Sequence, residues 1–128
     1  MPSQKRTIGD IGEKVALKYL KKNKYKILGK NYQKKYGEID IIAQNKKDPE
    51  RAITFIEVKT QNKNSNFGPA EENISYNKKE KLIKTAEIYL SEKEYSPKTT
   101  WQIDAIVIEL DQKTKKADLT HFKNAIWK

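Results

Sequence analysis

Two stretches decide how this chain is read: residues 36–44, YGEIDIIAQ, and residues 51–60, RAITFIEVKT. Both are short apolar runs rich in Ile, Val and Phe, which pack well on a pleated surface, so both are expected to be β-strands. Residues 45–50 join them and contain Asp48-Pro49, a turn signal. The simplest arrangement is an antiparallel hairpin. Side chains alternate between faces along a strand. Glu38, Asp40 and Ile42 therefore share one face of the first strand, and Ile53, Phe55, Glu57 and Lys59 share one face of the second. With the turn centred near Asp48, the numbers of opposed residues sum to about 97. Asp40 then lies opposite Glu57 and Glu38 opposite Lys59, with Cβ atoms roughly 5 Å apart.

The rest of the chain builds around that hairpin. Upstream, Ile8, Ile11, Val15 and Tyr19 recur at helical spacing, with Gly12, Ala16 and Leu20 beside them. The spacing predicts a helix over residues 8–22, with Thr7 as its N-cap and Asp10 in the first turn. Gly9, Gly12 and Ala16 form a strip of small residues that lets the helix lie close on a sheet. Residues 1–6 are polar and are expected to be disordered. Residues 25–34 read as a strand broken at Gly29. Residues 61–76 lack periodicity, contain Gly68 and Pro69, and read as a mobile loop of a length that is often functional. Asn77 and Glu80 offer a second capping pair, and Leu82, Ile83, Ala86, Tyr89 and Leu90 give an amphipathic helix to residue 92. Residues 100–110 are strand-like, 111–116 a polar turn and 117–127 a final strand. The order is α-β-β-β-α-β-β, an α/β (α+β) fold.

A chain of 128 residues suits one domain, here residues 1–128. The absence of cysteine excludes disulfides and thiolate metal sites. No apolar run approaches the roughly 18 residues of a membrane span, and the N-terminus has no signal-peptide core, so a cytoplasmic protein without a membrane partner is expected. A net charge of +10 points to a polyanionic partner, because clustered cations bind phosphates and release counterions. Only Arg6 and Arg51 are arginines, so the same basicity is what an AT-rich genome would produce. Lysine is also the weaker bidentate reader of phosphate.

Two neighbouring carboxylates repel each other, and a hard cation such as Mg²⁺ relieves that repulsion while keeping several waters. Such an ion can activate water and neutralise charge on a phosphodiester. A lysine two residues along points to the same place and can hold the water or stabilise the transition state. Glu13, on the flank of the first helix, could add a third carboxylate. The plain alternative is a set of strand-end charges in surface salt bridges, since Asp-x(16)-Glu-x-Lys is a loose pattern. Tyr76, Lys78, Lys79 and Lys81 open the second helix, where they read equally as DNA-backbone contacts or as a solvated helix end. Asp104 and His121 read as structural, and Trp101 and Trp127 as core or interface anchors.

Gly9-x-x-Gly12-Glu13-x-x-Ala16, Asn31-Tyr32, Gly37-Glu38-Ile39-Asp40 and Phe55-Ile56-Glu57-Val58-Lys59-Thr60 together resemble the YraN-like family of small bacterial proteins. The resemblance continues through the Lys-rich second helix, Ile103-Asp104-Ala105-Ile106-Val107 and His121-x-x-x-Ala125. That family is similar to the PD-(D/E)XK nucleases, closest to archaeal Holliday junction resolvases. The resemblance implies a restriction-endonuclease-like core, with a mixed central sheet flanked by helices. It implies Asp40 and Glu57 as metal ligands, Lys59 as the catalytic lysine, Glu13 as an additional acid and the Val58 carbonyl completing the metal sphere. Glu38 would support the site from beside it. Mg²⁺ is the implied cofactor, with Mn²⁺ as substitute; DNA, with branched or otherwise structured DNA as a candidate form, is the implied substrate and a homodimer the implied assembly. The family carries arginine after its EVKT stretch where this chain has Gln61, so a phosphate contact passes to Gln61 itself or to Lys63. A non-catalytic nucleic-acid-binding module on the same fold and a protein-interaction domain are the alternative expectations.

Overall fold

The computed structural model describes residues 4–63 and 76–126. Its elements run α1 (Gln4–Lys22), β1 (Tyr25–Lys34), β2 (Gly37–Asn45), β3 (Ile53–Asn62), α2 (Tyr76–Glu92), β4 (Trp101–Asp111) and β5 (Lys116–Ile126). The order is the one expected. Helix α1 begins at Gln4, so the expected cap position Thr7 lies within the helix and not at its start, and residues 4–6 are helical where disorder was expected. Helix α2 likewise begins one residue before Asn77. Gln61 and Asn62 extend β3, so the expected loop is shorter at that end; residues 64–75 and Trp127 lie outside the described residues.

The five strands form one sheet in the order β1-β2-β3-β4-β5. All neighbours are antiparallel except β3 and β4, which pair in parallel from Ile53↔Trp101 to Asn62↔Leu110. A parallel pair needs a crossover, and α2 supplies it. The two helices cover opposite faces. Ala16 and Leu20 of α1 pack with Ile41, Ala43, Ile56, Ile106 and Ile108. Leu82, Ile83, Ala86 and Tyr89 of α2 pack with Ile39, Ile42, Phe55 and Ile103. Coverage on both sides explains why Ile103 to Ile108 is an unbroken buried run, as central strands require.

Two glycines show how closely the layers approach. A Cβ on Gly12 would lie 1.8 Å from Thr60 Oγ1, so α1 can rest on β3 only because that position has no side chain. Gly9, by contrast, has open space beside it and takes no part in the close contact expected of it. The expected break in β1 is a register shift between Ile27 and Gly29.

Asp104 is wholly buried in β4 and fully partnered. Its carboxylate meets His121 Nε2 at 2.7 Å and accepts from Gln102 Nε2 and the Asn124 backbone N–H, both at 2.8 Å. Tyr19 OH lies 2.8 Å from His121 Nδ1, tying α1 to β5. Trp101 sits edge-on to Phe55, with ring centroids 5.8 Å apart.

Candidate functional site

The site begins where the β2–β3 ladder ends. Paired residues run from Gln44↔Ile53 to Ile41↔Ile56, and each pair sums to the 97 expected from the turn. Extending that register would oppose Asp40 to Glu57, but the paired ladder stops one position earlier. Instead Asp40 Oδ2 accepts the Val58 N–H at 2.8 Å. A carboxylate thus satisfies a backbone donor that β2 no longer pairs, which holds Asp40 at the mouth of the opened strands. The side-chain alternation of β2 shifts nearby, since Ile39 packs with Ile42 and not with Ile41.

Into this opening comes the start of α2. A cleft of about 390 Å³ is lined by Gly37, Glu38, Asp40, Glu57, Asn77, Lys78, Lys81 and Leu82. Lys78 Nζ is 2.6 Å from Glu57 Oε1, with the Glu57 side chain only 6% exposed. Burial pushes the Asp40 carboxyl up to about 7, and the Glu57 charge and, more weakly, Glu38 add to the shift. The Val58 N–H and the Lys78 ammonium oppose it. Burial works against the charge on Lys78, yet its hydrogen bond to Glu57 and the surrounding carboxylates hold its pKa above the ordinary lysine value.

The structure therefore brings together Asp40, Glu57 and Glu38, as the alternation of faces anticipated. Lys59 is half-buried two residues beyond Glu57, is not among the lining residues, and forms no ion pair with another described residue. Glu13 also stands outside the cleft lining: its Oε1 accepts from Asn31 Nδ2 at 3.2 Å. Asn31 lies in β1 between the partners of Ile41 and Ile39, hence level with Asp40, with a left-handed φ of 50°. Val58 meets the cleft through its N–H, and its strand position pairs with Ile106 of β4. Among the described residues no three His, Asp or Glu side chains form a metal-holding group. Two carboxylates with room for water are a donor set that a hard ion retaining most of its hydration could use, and Glu57 is paired with the Lys78 ammonium.

Of the residues expected to follow DNA, Lys81 lines the cleft, and Tyr76 and Lys79 are exposed at the start of α2. Lys63 pairs with Asp118 of β5 at 2.7 Å, so part of its charge is already answered. Gln61 is half-buried in β3 and, like Lys63, lies outside the cleft lining. Sequence reasoning missed the Lys78–Glu57 pair and the place of Asn77. Both depend on the parallel crossover that swings α2 over the hairpin. One signal was present in Gly37, where a Cβ would lie 3.1 Å from Thr85 Oγ1 and 3.5 Å from Lys81 Cβ.

Residues 12–108 match the family model described as Uncharacterised protein family UPF0102. This chain belongs to the UPF0102 family. The matched span contains every lining residue of the cleft. A UPF0102 protein of Caldanaerobacter subterraneus subsp. tengcongensis is 39% identical over 125 residues, covering 94% of this chain and 95% of the relative. One from Desulforamulus reducens is 33% identical over 126 residues, covering 98% and 100%. One from Clostridium botulinum strain Kyoto is 38% identical over 118 residues, covering 92% of each. UPF0102 membership upholds, at family level, the YraN-like resemblance carried by the motifs.

Proposed function

We propose that this UPF0102 protein is a metal-dependent endonuclease acting on DNA phosphodiesters, with branched or otherwise structured DNA as its substrate class. The observation that carries this reading is the convergence of Asp40 and Glu57 in one cleft with a cation already seated on Glu57. Asp40 and Glu57 would hold Mg²⁺ or Mn²⁺, with Glu13 and the Val58 carbonyl as further donors drawn from the nuclease resemblance. The bound ion would lower the pKa of a coordinated water and neutralise charge on the phosphodiester oxygens.

The chain's own residues carry the rest. The Val58 N–H holds one oxygen of the Asp40 carboxylate, which would leave the other for an ion in the cleft that Asp40 lines. With an ion held by Asp40 and Glu57, the Lys78 ammonium would sit beside it, placed to meet a phosphate. Lys59 would orient the attacking water or stabilise developing charge. Tyr76, Lys79 and Lys81 extend the contact along the DNA backbone, with Gln61 and Lys63 at its far end. Glu38 adds negative potential at the rim. The nuclease resemblance also makes a homodimer the proposed assembly.

A non-catalytic nucleic-acid-binding module is the second reading, favoured by Lys59 standing outside the cleft lining and by Lys78 already neutralising Glu57. A panel of duplex, single-stranded, flap and four-way DNA separates the two. The nuclease reading expects Mg²⁺- or Mn²⁺-dependent cutting that chelator and Asp40→Ala both abolish. Equal cutting by Asp40→Ala removes the assignment. Binding that is salt-sensitive, indifferent to chelator and without cutting selects the binding module.

A further inference from the structure

Beyond Lys78, α2 carries further lysines at and next to the cleft. Lys78, Lys81 and Lys84 recur every three residues, so each neighbours the next on the helix surface. The first two line the cleft. The third, Lys84, places Nζ 3.6 Å from the ring centroid of Tyr36. Lys35 Nζ lies 5.9 Å from the same centroid. Tyr36 occupies the β1–β2 turn immediately before Gly37, itself a lining residue, and its ring meets Lys84 one helical turn beyond the lining residue Lys81.

Among the described residues, core packing does not call for an aromatic residue at this position. Tyr36 is 42% exposed and belongs to neither core cluster. Among the described residues its ring meets no other ring and its hydroxyl makes no hydrogen bond. An exposed aromatic face flanked by mobile cations is the usual means of holding a single-stranded nucleotide: the base stacks on the ring and the cations meet its phosphates.

We propose that Tyr36, with Lys84 and Lys35, is a stacking platform for one unpaired nucleobase at the rim of the Asp40–Glu57 cleft. The strand would run from this base along Lys84 and Lys81 toward the carboxylates. Lys84 is exposed on a flexible stem, so an incoming base takes its place over the ring while the ammonium moves to the adjoining phosphate. Bases inside a duplex are stacked on one another and offer no free face, so the platform selects DNA with an unpaired nucleotide beside the scissile bond. This rests on the nucleic-acid reading above and narrows its substrate class.

The test uses the whole protein at low salt with chelator present, so cleavage plays no part in it. Affinity is measured by fluorescence anisotropy for a blunt duplex and for the same duplex carrying a single-stranded flap, with 2-aminopurine placed in the flap. Tyr36→Leu is expected to weaken flap binding about tenfold and to leave blunt-duplex binding within about twofold, the loss of one stacked base. Tyr36→Trp is expected to retain flap affinity, and 2-aminopurine fluorescence should be quenched by wild type and not by Tyr36→Leu. Because Tyr36 is exposed, the melting temperatures of both variants should match that of wild type. Unchanged flap affinity in a folded Tyr36→Leu protein, or a wild type indifferent to the flap, overturns the platform and leaves the nuclease reading standing. A wild type that binds none of these DNAs overturns the platform together with the nucleic-acid reading beneath it.

Discussion

Asp40 is the residue on which chemistry and stability meet. Its carboxyl is pushed from an ordinary 3.8 up to about 7, first by burial and then by Glu57. The folded chain therefore holds this proton more tightly than the unfolded chain, and the sign of the linkage follows. The stabilisation is complete below about pH 3.8 and is lost as pH rises through about 7. Asn keeps an oxygen for the Val58 N–H and carries no charge. Asp40→Asn should accordingly match wild type near pH 4 and gain on it progressively, by on the order of 4 kcal/mol at pH 8. Urea unfolding at the two pH values, without divalent ions, measures this; a difference that does not change with pH would contradict it. That Asp40 and Glu57 fall in one cleft was legible from strand alternation and a turn near Asp48, although the paired ladder stops at Ile41↔Ile56, before the two could oppose each other. Lys78 was not, because its partner is 21 positions away, across a crossover that no local pattern encodes.

At the scale of elements, α1 is placed by the absence of one side chain. Helix propensity alone favours alanine over glycine by about 1 kcal/mol at an interior position. At Gly12 the added Cβ would meet Thr60 Oγ1 at 1.8 Å, so the helix must shift. Gly12→Ala should destabilise the fold by about 1–3 kcal/mol in spite of its better propensity. Gly9 has open space, and Gly9→Ala should stabilise by up to about 1 kcal/mol. Thermal and denaturant unfolding of the two variants should move in opposite directions; movement in the same direction would mean that the close contact of α1 with β3 is misplaced. Sequence identified Gly12 and Gly9 as one strip because spacing shows which residues share a side, not how deeply each is buried. The hairpin register was legible, since a short turn leaves few ways to pair. The start of α1 at Gln4 was not, because polar residues carry helix as readily as coil when the apolar stripe has yet to begin.

For the whole molecule, a charge of +10 is spread over a surface whose candidate site is acidic at its floor and lysine-lined along α2. Sequence gave the sign of that charge and the α-β-β-β-α-β-β order. The parallel β3–β4 pair, the helices on opposite faces and the lysine row over the carboxylates all come from long-range packing. If Lys81 meets a phosphate, Lys81→Gln should reduce the slope of log affinity against log salt by about one while weakening all duplex sequences alike. An unchanged slope would put the DNA path elsewhere.

The central claim is that the Asp40–Glu57 pair binds a divalent ion that the reaction uses. Isothermal titration of Mn²⁺ and Mg²⁺ into wild type and Asp40→Asn at pH 7, in buffers of different ionisation enthalpy, tests it most directly. Wild type should bind the ion saturably with release of about half a proton per ion at pH 7, because Asp40, with its carboxyl raised to about 7, is about half protonated there. Asp40→Asn should show neither the binding nor the proton. Identical titrations for the two proteins, or a wild type that takes up no ion, would contradict it.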